Sequence, residues 1–151
     1  MGRKLNVLLA DDDDTFRMLV GECFKRSPVL AENAHLYCVP DGTDAVDYVL
    51  GRGVYSDRVR YPVPDVVLLD ERMGRMDGSE ALIEIKGDPQ FLLLPICMVS
   101  SAMVRKWKVV CLENGAAFCA RKPLDFESLE GKIELIVRFC LEVLELPDDS
   151  L

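Results

Sequence analysis

Five polar residues stand where short apolar runs stop. Asp11 and Asp12 follow Leu5–Ala10, Asp70 follows residues 66–69, Ser100 follows residues 94–99, and Lys122 lies one residue beyond residues 116–120. Three carboxylates drawn to one spot repel one another unless a cation neutralises them. With oxygen as the only ligand atom and no His or Cys nearby, that cation is a hard divalent ion, Mg²⁺ or Mn²⁺ rather than zinc, with water completing an octahedron. An anion then fits between the metal and Lys122, and the Ser100 hydroxyl offers a further donor. Phosphoryl is the natural candidate. A carboxylate that attacks phosphorus gives an acyl phosphate, and the metal and the lysine stabilise charge on the transferring oxygens. Asp70 stands alone at the end of a central apolar run and is assigned as the nucleophile.

These residues can meet only if the runs preceding them lie side by side. The hydrophobic pattern alternates short strand-like stretches with longer helix-like ones, which is the pattern of βα units in a parallel sheet. Five units are predicted. Leu5–Ala10, broken only by Asn6, reads as a strand buried on both faces. Phe16, Leu19, Val20, Cys23 and Phe24 recur at helical spacing, with Asp14 as N-cap and Pro28 as the stop. Residues 35–39 form the second strand, Pro40-Asp41-Gly42 its turn, and residues 43–50 a helix ending near Gly51. Residues 51–64 read as a surface loop. Residues 66–69 are the clearest buried strand, followed by a helix over 79–86. Residues 94–99 form the fourth strand, and Met103, Trp107, Val110 and Cys111 mark the next helix, closed by Asn114-Gly115. Residues 116–120 form a short fifth strand. A long last helix then carries Leu129, Ile133, Ile136, Val137, Cys140, Leu141 and Leu144 on one face. In such a sheet the working groups gather outside the carboxyl ends of the strands, where the strand order reverses.

A chain of 151 residues has the size of one domain with its own core, and half of its residues are hydrophobic. The formal charge of −8 argues against binding nucleic acid or anionic lipid, both of which need clustered Lys and Arg. Six cysteines without a Cys-x-x-Cys pair, beside a single histidine, His35, make no zinc site. They read as small buried hydrophobes in a reducing cytoplasm. No signal peptide or membrane span fits the sequence at the N-terminus.

The residues that could do chemistry resemble those of response-regulator receiver domains, from Lys4 to about Leu144. Val7-Leu8-Leu9-Ala10-Asp11-Asp12 is similar to the family's first strand with its acidic pair, and Leu68-Leu69-Asp70 followed by Met76-Asp77-Gly78 is similar to its phosphorylation loop. Val99-Ser100 and Lys122-Pro123 complete the set. The resemblance implies a flavodoxin-like, doubly wound five-stranded parallel sheet of order 2-1-3-4-5, with helices on both faces. It implies a single receiver domain over residues 1–151 with no output domain, phosphorylated on Asp70 by a sensor histidine kinase in a Mg²⁺-dependent reaction. It adds the backbone carbonyl of Arg72 to the metal ligands Asp11, Asp12 and Asp70. Such a protein catalyses its own phosphorylation and dephosphorylation rather than turning over an external substrate. The signal then leaves by protein contact through the fourth helix, fifth strand and fifth helix of the five predicted units. The long loop before the third strand, Lys86-Gly87-Asp88-Pro89 and Glu145-Leu146-Pro147 resemble the small regulators paired with bacterial phytochrome kinases.

Two positions depart from the family pattern. Gly74 stands where proline is usual, which predicts a more mobile loop. Cys119 stands where a Tyr or Phe usually reorients on activation. Two rival readings remain. A haloacid-dehalogenase-type phosphatase needs a second aspartate two residues after its nucleophile, and Arg72 stands there instead. A pseudo-receiver, folded alike but serving only as a binding module, usually loses the acids or the lysine that this chain keeps. Finally, Leu135, Phe139, Val143 and Leu146 form a second stripe on the last helix, which predicts a homodimer or a partner contact there.

Overall fold

An extended run with apolar side chains on both faces is stable only inside a sheet that helices cover on both sides. In the computed structural model, which describes residues 3–143, the run Leu5–Ala10 is such a strand, β1. Its neighbours are β2 (Ala34–Val39) and β3 (Val66–Asp70), followed by β4 (Ile96–Ser100) and β5 (Phe118–Arg121). All pairings are parallel, and the order is β2-β1-β3-β4-β5, the flavodoxin-like order that the resemblance implied.

Alternation along the strands builds two cores. Leu8, Val67, Leu69, Ile96 and Met98 face one way, against α3 (Gly42–Leu50), α4 (Gly78–Lys86) and α5 (Arg105–Glu113). Leu5, Leu9, Val66, Leu68 and Cys97 face the other, against α1 (Asp14–Arg26), α2 (Pro28–Asn33) and α6 (Phe126–Glu142). Every residue of β3 and β4 is buried, including the polar ends Asp70 and Ser100. At roughly 1.5–3 kcal/mol for each fully buried Leu, Ile or Val, these layers can hold a costly polar site at the sheet's edge.

Several boundaries differ from the sequence reading, each for a local reason. The N-cap of α1 is Asp13, whose carboxylate accepts the N–H groups of Thr15 and Phe16, while Asp14 begins the helix and pairs with Arg17. Pro28 does not merely stop α1. It occupies the first turn of α2, where its missing N–H costs nothing, and Ser27 caps that helix. Strand β4 starts at Ile96, since Pro95 has no N–H for the ladder. Strand β5 starts at Phe118 because the Ala116 N–H is taken by the Cys111 carbonyl in closing α5. Running on to Arg121, β5 puts Lys122 directly at its end with no gap. Met103 precedes α5 rather than lying in it.

The loop 51–64 contains a short 3₁₀ turn, Gly53–Ser56, and is anchored by Arg58, which donates to the carbonyls of Tyr48 and Val49. On α6, Leu141 is exposed rather than packed, and Leu144 and Leu146 lie outside the described residues. Of the six cysteines, all free, four are buried, Cys119 is half-buried, and Cys38 is exposed on the edge strand β2, so the reading of all six as core residues fails there. Among the described residues no helix is long and apolar enough to cross a membrane.

Candidate functional site

The carboxyl ends of β1, β3 and β5 deliver their polar residues to one crevice. Asp11 is fully buried immediately after β1, Asp12 is exposed beside it, and Asp70 is buried as the last residue of β3. Carboxylate oxygens of all three lie within 4.8 Å of one another. Lys122 enters from the end of β5, with its ammonium 2.6 Å from Asp11 Oδ2 and 3.4 Å from Asp70 Oδ1. Its backbone N–H donates to the Ser100 carbonyl at 2.9 Å, which fixes the direction from which the side chain departs.

Neighbouring residues that the sequence reading passed over hold these groups in place. Lys122 Nζ lies over the Phe16 ring, 4.3 Å from its centroid, a cation–π contact that the helical stripe had marked only as core. Arg17 Nη1 donates to the Asp11 carbonyl at 2.6 Å; its i,i+3 spacing from Asp14 is the one signal that could have flagged it. Asp11 Oδ1 accepts the Asp13 N–H at 2.9 Å. The loop after β3 is pinned at two points. Arg75 reaches Asp41, the N-cap of α3, at 3.0 Å, and Gly78 packs so tightly that a Cβ there would lie 2.0 Å from the Asp70 carbonyl oxygen.

The electrostatics follow from this crowding. Burial, then the charge of Asp11, pushes the Asp70 carboxyl up to about 6 against the opposing pull of Lys122. Burial draws the Lys122 ammonium down, but the close contact with Asp11 and the charges of Asp11 and Asp70 outweigh it and hold it above the usual lysine range. Two carboxylates at about 4.8 Å repel by roughly 3 kcal/mol at an effective dielectric of about 20, and one ammonium cannot neutralise three of them.

A divalent cation fits the donor set. Asp11 Oδ2 is buried with the ammonium beside it but without a well-directed hydrogen bond, and no hydrogen bond among the described residues uses the Arg72 carbonyl in the exposed loop. All the candidate ligand atoms are oxygens, the donor set of a hard ion.

A family profile described as the response regulator receiver domain matches residues 7–134. The chain belongs to the response regulator receiver family. It is 27% identical over 141 residues to the response regulator Rcp1 of Synechocystis, covering 93% of this chain and 92% of that one. Among solved structures it superposes on the phosphorylated cyanobacterial phytochrome response regulator RcpA with a TM-score of 0.84, at 25% identity, covering 96% of this receiver and 99% of that chain. The Mn²⁺-bound form of Rcp1 gives a TM-score of 0.81 at 26% identity, covering 95% of this chain and 99% of that one. RcpA is by name a phytochrome response regulator, the group that the sequence resembled. Receivers are signalling proteins that bind a divalent metal at their acidic pocket, as the cluster in this receiver would allow.

Ser100 is placed differently from Asp11, Asp12, Asp70 and Lys122. It is buried beside them, but its hydroxyl donates to the Ala102 carbonyl at 3.1 Å and accepts the Ala102 N–H at 3.2 Å, so it closes its own turn. Cys119 lies half-buried in β5 against the core under α3, α4 and α5, with no aromatic ring at that position. Gly74 has no atom within 4 Å of a would-be Cβ and no positive φ, so the receiver's loop does not use the freedom of glycine there.

Proposed function

We propose that this receiver accepts a phosphoryl group on Asp70. An Asp70 carboxylate oxygen forms the bond to phosphorus as the bond to the donor's leaving group, a histidine nitrogen, breaks and the electron pair departs with that nitrogen. Lys122 is the group on the chain able to meet the charge on the transferring oxygens, from its position between Asp11 and Asp70. The observation that carries this reading is the juxtaposition of a buried strand-end carboxylate, one ammonium at 3.4 Å and two further acids within 4.8 Å. Mg²⁺ bound by Asp11, Asp12, Asp70 and the Arg72 carbonyl would supply charge neutralisation and orientation of the phosphoryl oxygens. Ser100 serves as a donor to that oxygen set once its hydroxyl leaves the Ala102 turn.

The phosphoryl donor in this reading is a sensor histidine kinase of the phytochrome type, supported by the likeness to a regulator named for its phytochrome. The signal leaves by protein contact. Leu135 and Phe139 on α6 and Val143 just past its end are 68%, 42% and 62% exposed, and Phe139 meets Phe118 of β5 edge-on. This apolar strip is read as the face of a homodimer. A phosphatase reading is disfavoured by Arg72, which lacks the acid such a mechanism requires two residues after the nucleophile.

The test is incubation with acetyl phosphate and Mg²⁺ followed by intact-mass measurement. One phosphoryl adduct on the wild type and none on Asp70→Asn is the expected result. No adduct on the wild type would leave only the binding-module reading.

A further inference from the structure

Donors from two separate helices converge on one carboxylate that phosphoryl transfer leaves unused. Glu71 Oε1 accepts the Ser79 hydroxyl at 2.6 Å, while Oε2 accepts the Ser79 N–H at 3.0 Å and the Trp107 indole N–H at 2.7 Å. Ser79 lies in the first turn of α4 and Trp107 in the first turn of α5. The Glu71 backbone is equally committed. Its carbonyl takes the Gly78 N–H at 2.9 Å, and its N–H faces the Asp70 carboxylate and favours the ionised form. With Gly78 pressed against the Asp70 carbonyl, these contacts tie residues 70 and 71 and the start of α4 into one closely packed body.

Helix α5 is held far more weakly than that body. Cys111 is its one fully buried side chain, and Val109, Val110 and Leu112 are exposed by 44%, 40% and 47%. Among the described residues, Trp107 to Glu71 is the one side-chain hydrogen bond from α5 to another element. A bond from an N–H to a carboxylate is charge-assisted and directional, so it fixes where the indole sits. A helix with few buried contacts and one such tether is drawn from the low-stability end of the fold.

We propose that Glu71 is a positioning residue that couples the state of Asp70 to the seating of α5 through the Trp107 indole. This coupling rests on the reading of Asp70 as phosphoacceptor. Converting the Asp70 carboxylate to an acyl phosphate adds negative charge beside the Glu71 N–H and pulls on the peptide that carries the tether. The displacement reaches α5 because the Glu71 carboxylate has no freedom to absorb it: both of its oxygens are already engaged. Strand-end chemistry and helix placement are thereby linked over one residue of backbone and one side chain.

Trp107 is the chain's single tryptophan, so no other indole contributes to the fluorescence that follows this tether. The wild type, Glu71→Ala and Glu71→Gln are treated with acetyl phosphate and Mg²⁺, with adduct fraction by intact mass, emission and acrylamide quenching recorded together. In the wild type the emission is expected to change in proportion to the adduct. Glu71→Ala is expected to take up phosphoryl while its emission, already shifted at rest, no longer follows the adduct. Glu71→Gln, which keeps an oxygen for the indole, restores part of the response. Trp107→Phe, which removes only the donor, is followed by amide hydrogen exchange of α5. That exchange is expected to change with phosphorylation in the wild type and not in the variant. A Trp107 signal that tracks the adduct equally well in Glu71→Ala, a silent signal in fully modified wild type, or α5 exchange that responds normally in Trp107→Phe would overturn the coupling. Wild type that gains no adduct instead overturns the phosphoacceptor reading, and the coupling with it.

Discussion

The ammonium of Lys122 lies nearer to Asp11, at 2.6 Å, than to Asp70, at 3.4 Å. The lysine therefore neutralises the same acid that a divalent cation would use, and the two positive charges would oppose each other at short range. Removing the charge in Lys122→Gln is expected to tighten Mg²⁺ binding in a calorimetric titration while slowing phosphoryl uptake by roughly 10²-fold, the usual cost of deleting one preorganised electrostatic donor. Weaker metal binding in that variant would show that Lys122 builds the cation site rather than competing with it.

Stability should carry the mark of the crowded carboxylates. The Asp70 carboxyl is raised in the folded protein from 3.8 to about 6, so the folded state holds its proton more tightly than the unfolded chain. The resulting stabilisation is fully present below the unfolded value and is lost as pH rises through about 6. At pH 8 in EDTA the ionised group is a net burden, and Asp70→Asn is expected to be more stable than the wild type by on the order of 2 kcal/mol. In urea unfolding the gap should nearly close at about pH 4, where the wild-type group is protonated too. A gap that stays constant across that range would assign the effect to something other than ionisation.

Two glycines between β3 and the first turn of α4 should answer oppositely to a methyl group. Gly78→Ala drives a Cβ to 2.0 Å from the Asp70 carbonyl oxygen and must move backbone, at a cost of about 1–3 kcal/mol and with slowed phosphoryl uptake. Gly74→Ala meets open space at a φ that alanine accepts, and is expected to raise stability by about 0.4–1 kcal/mol through the unfolded chain. Thermal melts of the two variants check this, and equal effects would mean that the loop is not seated as described.

The α6 strip makes a separate claim. Sedimentation velocity at high protein concentration, with and without acetyl phosphate, should show dimer for the wild type and monomer for Leu135→Glu. Monomer for both under all conditions would remove the homodimer and leave the strip to a different partner.

The fold was legible because its strands are buried on both faces: continuous apolar runs ended by Asp, Asp, Ser and Lys mark both the sheet and the crevice at its edge. Asp11, Asp12, Asp70 and Lys122 came together as their strand-end positions required. What stayed hidden depends on backbone hydrogen bonds and on side-chain direction, which residue types do not encode. Pro28 looked like a stop and proved a start, because a proline at the first helical position and a proline after a helix look alike in a sequence. The spacing of Trp107 marked a helix face, and its ring does pack against the core, but spacing does not show that its indole nitrogen turns to Glu71. The hydroxyl of Ser100 turns to a neighbouring peptide, a choice of rotamer that no motif records.

The central claim concerns one side chain, and borohydride tests it most directly, because it reduces an aspartyl phosphate to homoserine while leaving a free carboxylate intact. After treatment with acetyl phosphate and Mg²⁺, reduction and peptide mapping are expected to find homoserine at position 70 and at no other aspartate. Homoserine at Asp11 or Asp12, or phosphate incorporated without any reducible aspartate, would contradict the assignment.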